Sequence, residues 1–145
     1  MTVAAILAGK GRDVLTITAE KTIAVAIDVL AKRRVGALVV VETEGGDRIV
    51  GIVSERDVVR AIAASGSAAL AEPLSTVMTR NVVTCNDRET IDSVMSRMTH
   101  GRFRHLPVAE NGRLTGIVSI GDVVKARIEQ VEREAEEMRA YIATA

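Results

Sequence analysis

Eleven residues of this chain occur twice. Gly51-Ile-Val-Ser54-Glu-Arg-Asp57-Val-Val-Arg60-Ala61 returns as Gly116-Ile-Val-Ser119-Ile-Gly-Asp122-Val-Val-Lys125-Ala126, with eight positions identical at a spacing of 65. An internal repeat limits the possible architectures more than any composition does, because each copy must fold alike. The match extends backwards at a spacing of 68. Asp13-Val-Leu-Thr16 faces Asn81-Val-Val-Thr84, Thr22-Ile23 faces Thr90-Ile91, Arg34 faces Arg102, and Leu38 and Val40 face Leu106 and Val108. The change of spacing falls in one polar turn, Glu42 to Arg48, three residues longer than its partner around Glu110 to Arg113. Such turns tolerate insertions. Copies of roughly 50 to 60 residues bury too little surface alone, so the halves are expected to pack on each other about an approximate twofold axis.

Within one copy the pattern reads strand, helix, strand, strand, helix. Val14 to Thr18 is short, extended and β-branched. Thr22 can cap a helix whose apolar stripe is Ile23, Ala26, Ile27 and Leu30. Thr90 caps the matching stripe of Ile91, Val94, Met95 and Met98. Ala37 to Val41 and Ile49 to Val53 are apolar runs of the kind found in buried strands. A helix carrying Val58, Val59 and Ile62 then stops near Gly66. In the second copy the first strand is expected over Val82 to Cys85. The fold class is therefore α/β (α+β), with two β-α-β-β-α repeats about a pseudo-twofold axis and an extended C-terminal helix. The expected boundaries are 1–66 for the first repeat, 67–80 for a linker broken at Pro73, 81–128 for the second, and 129–145 for an amphipathic helix. On that last helix Ile128, Val131, Ala135, Met138 and Ile142 alternate spacings of three and four. They can pack on the chain's own body or on a second subunit.

Composition removes several function classes. The 145 residues include 19 basic and 19 acidic side chains, with no net charge, and only Phe103 and Tyr141 are aromatic. A nucleic-acid binder would show a basic excess or stacking platforms. One cysteine, Cys85, makes neither an internal disulfide nor a cysteine-rich zinc site, and packing is its ordinary use. His100 and His105 have no ligand partners at metal spacing. No apolar run reaches membrane-spanning length, and the segment Val3 to Ala8 is too short for a signal peptide. The reading is a cytoplasmic protein with an aliphatic core, without a membrane or nucleic-acid partner.

The repeated Ser-x-x-Asp lies where a strand passes into a helix. Ser54 and Ser119 can cap free N–H groups or contact an anion there. Asp57 and Asp122, in the first helical turn, suit the positive helix end and can accept two hydrogen bonds from a diol such as ribose. The spacing leaves both readings open, because it also resembles a capping box with Asp in place of Glu. Guanidinium groups match phosphate geometry. Arg102-Phe103-Arg104-His105 precedes the second strand of copy two, where copy one has Arg34-Val35-Gly36-Ala37. Arg56 sits inside the first motif, where copy two has Gly121. Gly9-Lys10-Gly11-Arg12 is superficially like a phosphate loop but lacks the strand and the spacing. No nucleophile, base and orienting group can be assembled, so the chain is read as having no catalytic site.

Gly51-Ile-Val-Ser-x-x-Asp57, Gly116-Ile-Val-Ser-x-x-Asp122, and Arg104-His105-Leu-Pro-Val108 with its partner Gly36-Ala-Leu-Val-Val40 make the chain resemble a stand-alone tandem CBS domain pair. The resemblance spans about Val3 to Ile128. It implies a regulatory module with two clefts between its sheets, binding AMP, ADP, ATP, NAD(H) or, in some members, S-adenosylmethionine. It implies that Asp57 and Asp122 hold ribose hydroxyls and that Ser54 and Ser119 reach ribose or phosphate. Arg56, Arg104 and His105 would bind phosphate. Thr16 and Thr84 would line the clefts, and backbone near Ala37 or His105 would read the adenine, with Pro107 beside them. It further implies a homodimer through the helices, and a regulated protein that reads energy or redox state. The alternative is a ligand-independent dimerisation adaptor, with both Asp residues serving only as caps.

Overall fold

The computed structural model describes residues 1–144. Helix α1 (Val3–Lys10) leads into strand β1 (Thr16–Thr18), helix α2 (Ile23–Arg33), strands β2 (Ala37–Val41) and β3 (Ile49–Ser54), and helix α3 (Glu55–Ser65). Short 3-10 turns at Gly66–Ala71 and Leu74–Thr76 flank Pro73, so the linker is two 3-10 turns in place of the expected helix. The second half follows as α4 (Ile91–Gly101), β4 (His105–Glu110), β5 (Arg113–Ser119) and α5 (Ile120–Thr144).

The caps fall where the repeat puts them. The Thr22 hydroxyl accepts from the Val25 N–H and that of Thr90 from the Ser93 N–H. Both helices end on an arginine in the left-handed region, Arg34 at φ 54° and Arg102 at φ 57°. In one sheet β1 runs parallel to β2, which pairs antiparallel with β3; in the other β4 pairs antiparallel with β5. Ala37 faces Ser54 and His105 faces Ser119 in the same register. The halves touch through a bridge between Arg48 and Arg113, which are partners in the repeat, so the bridge lies on the pseudo-twofold axis.

The strand expected over Val82 to Cys85 is reduced to one parallel bridge between Cys85 and Val108. In the first copy the Val39 N–H donates to the Leu15 carbonyl. Its counterpart is Pro107, which has no N–H to donate. Asn86 then turns the chain, its side chain accepting from the Arg88 N–H while its own N–H donates to Glu89.

Each half has its own core. Ile23, Leu30, Leu38, Val40 and Val53 form one; Ile91, Met98, Leu106, Val108 and Val118 occupy the equivalent places in the other. Cys85 stands where Ile17 stands in the first half, and burial pushes its thiol up to about 12, so it packs as an inert apolar group.

The cores are completed crosswise. The linker precedes the second copy but seats Ala69, Leu74 and Met78 in the first core, and α1 precedes the first copy but seats Val3 and Leu7 in the second. Equivalent backbone bonds pin both segments: Leu74 N–H to Lys21 C=O and Ile23 N–H to Glu72 C=O in one half, Val3 N–H to Glu89 C=O and Ile91 N–H to Met1 C=O in the other. The motif glycines are explained here. A Cβ on Gly51 would lie 2.7 Å from the Met78 sulfur, and one on Gly116 2.9 Å from a Leu7 methyl.

Candidate nucleotide cleft

The two motifs form the same local box. The Ser54 hydroxyl accepts from the Asp57 N–H at 3.3 Å, and Asp57 Oδ2 accepts from the Ser54 N–H at 2.8 Å and from its hydroxyl at 3.1 Å. The Ser119 hydroxyl accepts from the Asp122 N–H at 3.1 Å, and Asp122 Oδ2 accepts from the Ser119 N–H at 2.9 Å. The capping reading therefore holds at both. Among the described residues both carboxylates accept only through Oδ2, Asp57 from its own motif serine alone and Asp122 from its serine and from Lys10, so Oδ1 is open on each.

Around Asp57 the structure opens a cleft of about 640 Å³, a size suited to a small-molecule ligand. It brings together Ala37, Ser54, Arg56, Asp57, Arg104, His105 and Pro107 from the expected set. The first four come from the β2 and β3–α3 region of one half, and the last three from the α4–β4 region of the other. Arg56 reaches across, donating from Nη1 to the Arg102 carbonyl at 3.4 Å. Thr16, Thr84, Ser119 and Asp122 lie outside this lining. The Thr84 carbonyl accepts from Arg97 at 2.6 Å.

Several wall residues were not singled out in the sequence. Arg60 lies one turn beyond Arg56 and adds a further guanidinium; its signal was the repeat itself, where Lys125 keeps the charge. Arg102 and Phe103, by contrast, belong to the basic stretch that the sequence marks before β4, and they also line the cleft. Phe103 additionally packs against the second core. The end of the linker contributes Thr79, held antiparallel to Ile52 by bonds of 2.9 and 3.0 Å, and the start of the second copy contributes Asn81, Val82 and Val83. No local motif marks a linker residue as a wall. Ile52, Val59, Val82 and Val83 thus supply apolar lining, and Arg56, Arg60, Arg102 and Arg104 supply positive charge alongside Glu55 and Asp57. An apolar planar group and an anionic tail fit such a cleft.

His105 lines this cleft from the start of β4. Its ring lies over Gly36, where a Cβ would come 2.9 Å from Cε1, so the bare glycine makes room for it. Burial first, and the Lys10 charge second, hold its pKa below the ordinary value for histidine. The free ring is neutral at pH 7, and a bound phosphate would favour its protonation.

The Asp122 site is different. Lys10 Nζ lies 2.5 Å from Asp122 Oδ2 and 2.9 Å from the Ile117 carbonyl. Burial raises the Asp122 pKa, but the Lys10 bond and the Ser119 N–H outweigh it, and the carboxyl ends below its usual range. Arg12 pairs with Asp87 at 2.6 Å, so the Gly9-Lys-Gly-Arg12 segment holds carboxylates of its own chain. Among the described residues no cluster of three or more His, Cys, Asp or Glu is placed to hold a metal ion.

The family model of the CBS domain matches twice, over residues 10–64 and 74–129. The chain belongs to the CBS-domain family. A solved CBS-domain containing protein from Agrobacterium tumefaciens is 49% identical, covering 88% of this chain and 99% of its own, with a TM-score of 0.83. A CBS domain protein from Pyrobaculum aerophilum, solved in complex with AMP, is 29% identical with a TM-score of 0.74, covering 84% of this chain and 89% of its own. Among curated proteins, the mitochondrial CBS domain-containing protein CBSX3 of Arabidopsis thaliana is 31% identical, covering 97% of this chain and 71% of the relative. CBS-domain pairs are in general regulatory modules without catalysis. No helix among the described residues is long and apolar enough to cross a membrane.

Proposed function

We propose that the chain is a regulatory module that binds an adenine nucleotide in the Asp57 cleft and signals energy or redox state through the angle between its halves. The observation that carries this reading is the composition of the cleft. One cleft is lined by Asp57 of one half, by Arg104 and His105 of the other, and by the apolar Ile52, Val82 and Val83. Asp57 would accept the ribose hydroxyls, Ser54 would lie beside them, and Arg56, Arg104 and His105 would hold phosphate. The base would lie on Ile52, Val82 and Val83, read by backbone near Ala37 and His105, with Pro107 in the wall. AMP, ADP, ATP and NAD(H) all carry these parts. A ligand held by both halves favours whichever arrangement of them closes on it, and a partner protein can read that difference. The module acts in the cytoplasm and does no chemistry of its own.

Calorimetric titration with AMP, ADP, ATP, NADH and S-adenosylmethionine tests the proposal. Saturable binding of an adenine nucleotide that Asp57→Asn weakens at least about tenfold is the expected result. The absence of heat and of a thermal shift with every ligand overturns it.

A second reading, assembly independent of ligand, rests on a separate observation. Val59 on α3 and its repeat partner Val124 on α5 are 65% and 43% exposed, and the stripe continues along α5 through Ile128, Val131, Met138 and Ile142, all exposed. Only Val123 and Ala126 of that helix are buried. Apolar faces on both halves are suited to a homodimer through α3 and α5. Light scattering tests it: a dimer that Val59→Asp and Val124→Asp convert to monomer supports it, and a wild-type monomer overturns it.

A further inference from the structure

The Ser-x-x-Asp boxes are equal in sequence and unequal in what meets them. Among the described residues no cation forms an ion pair with Asp57, while Lys10 is bonded to Asp122. We propose that Lys10 is a tethered occupant of the second site: its ammonium pairs with the carboxylate that corresponds to the ribose-binding Asp57, so each chain offers one nucleotide site and Lys10 sets that number. This rests on the nucleotide reading of the Asp57 cleft.

The crosswise packing explains why a lysine arrives there. Leu7 over Gly116 is the counterpart of Met78 over Gly51. Three residues beyond Met78 stands Asn81, a short neutral wall residue of the open cleft. Three residues beyond Leu7 stands Lys10, on the last turn of α1. The same segment that walls one cleft therefore reaches into the other with a long cation. Its second acceptor agrees. Ile52 and Ile117 are equivalent, and the Ile52 carbonyl is already used by the Thr79 N–H at 2.9 Å. Helix α1 has no such extended residue beside Ile117, and Lys10 takes that carbonyl instead, at 2.9 Å. The ammonium thus neutralises the acid through Oδ2 and takes the backbone carbonyl beside it, both of which an entering ligand would meet. Such a ligand would have to displace two hydrogen bonds, one of them to a charged partner.

The experiment is a calorimetric titration of the full chain with ATP, repeated with AMP. Wild type is expected to bind one nucleotide per chain. Lys10→Ala and Lys10→Met, the second keeping an apolar stem along the helix, are expected to bind two, and Lys10→Arg one. Adding Asp122→Asn to Lys10→Ala returns the number to one, and circular-dichroism melting establishes that each variant is folded. Two sites in wild type, or one in both neutral Lys10 variants, overturns the inference while the Asp57 reading stands. Binding by Lys10→Ala alone overturns the Asp57 reading and supports the inference. Binding by neither protein overturns both.

Discussion

Asp57 and Asp122 close the same hydrogen-bonded box with the serine three residues before them, yet one borders a cleft of about 640 Å³ and the other is bonded to Lys10. The boxes depend on local geometry, a strand end followed by a helical turn, and are repeated wherever the motif is. What faces each box comes from elsewhere in the chain. The cleft beside the Asp57 box is lined by four arginines and a histidine, and the Asp122 box is bonded to one lysine on α1. Two copies of a motif are thus not two copies of a site. The asymmetry lies in the segments that precede the copies, the linker and α1, which exchange places between the halves.

The largest effects should come from breaking that exchange. Leu74 and Leu7 are fully buried in opposite cores. Leu74→Ala and Leu7→Ala are each expected to cost about 2–5 kcal/mol, read by chemical denaturation. If only one destabilises, the two segments are not equivalent. Next, Asp57→Asn should weaken nucleotide binding at least about tenfold, the scale of losing a hydrogen bond to a charged group, while Asp122→Asn leaves affinity unchanged. Equal losses from both would erase the contrast between the sites.

Asp122→Asn should instead act on stability, by about 1 kcal/mol for the cap. Because the Asp122 carboxyl is held below its ordinary range in the folded chain, its contribution is complete above the ordinary aspartate range and fades as pH falls through the depressed value. The gap between wild type and Asp122→Asn, measured by denaturation, should shrink in acid. The smallest effect belongs to His105. Its pKa is depressed by burial and by Lys10, and a bound phosphate favours its protonation. Nucleotide affinity is therefore expected to rise as pH falls from the alkaline side towards the ordinary histidine range, and His105→Gln should flatten that slope in the same calorimetric assay.

Much of the fold was legible because it is local. Thr22 and Thr90 cap where their spacing predicts, Gly66 follows α3, and the apolar runs from Ala37 and Ile49 pair as strands. The strand over Val82 to Cys85 failed on one residue, because Pro107 lacks a donor that Val39 supplies. The open cleft was partly legible. Arg56, Arg104 and His105 were visible as charge beside repeated motifs, whereas Thr79, Asn81 and Val83 become wall residues only by docking along β3. Lys10 read as part of a poor phosphate loop, and its real position depends on α1 packing against the far half.

The sequence alone determined that there are two copies, their element order, their capped helices and the motif that ends each β-hairpin. Those follow from periodicity, capping and turn chemistry within some twenty residues. Tertiary structure alone decided which Asp faces an open cleft and which a lysine. That choice rests on contacts between residues more than a hundred positions apart, Lys10 with Ile117 and Asp122, which no local pattern encodes.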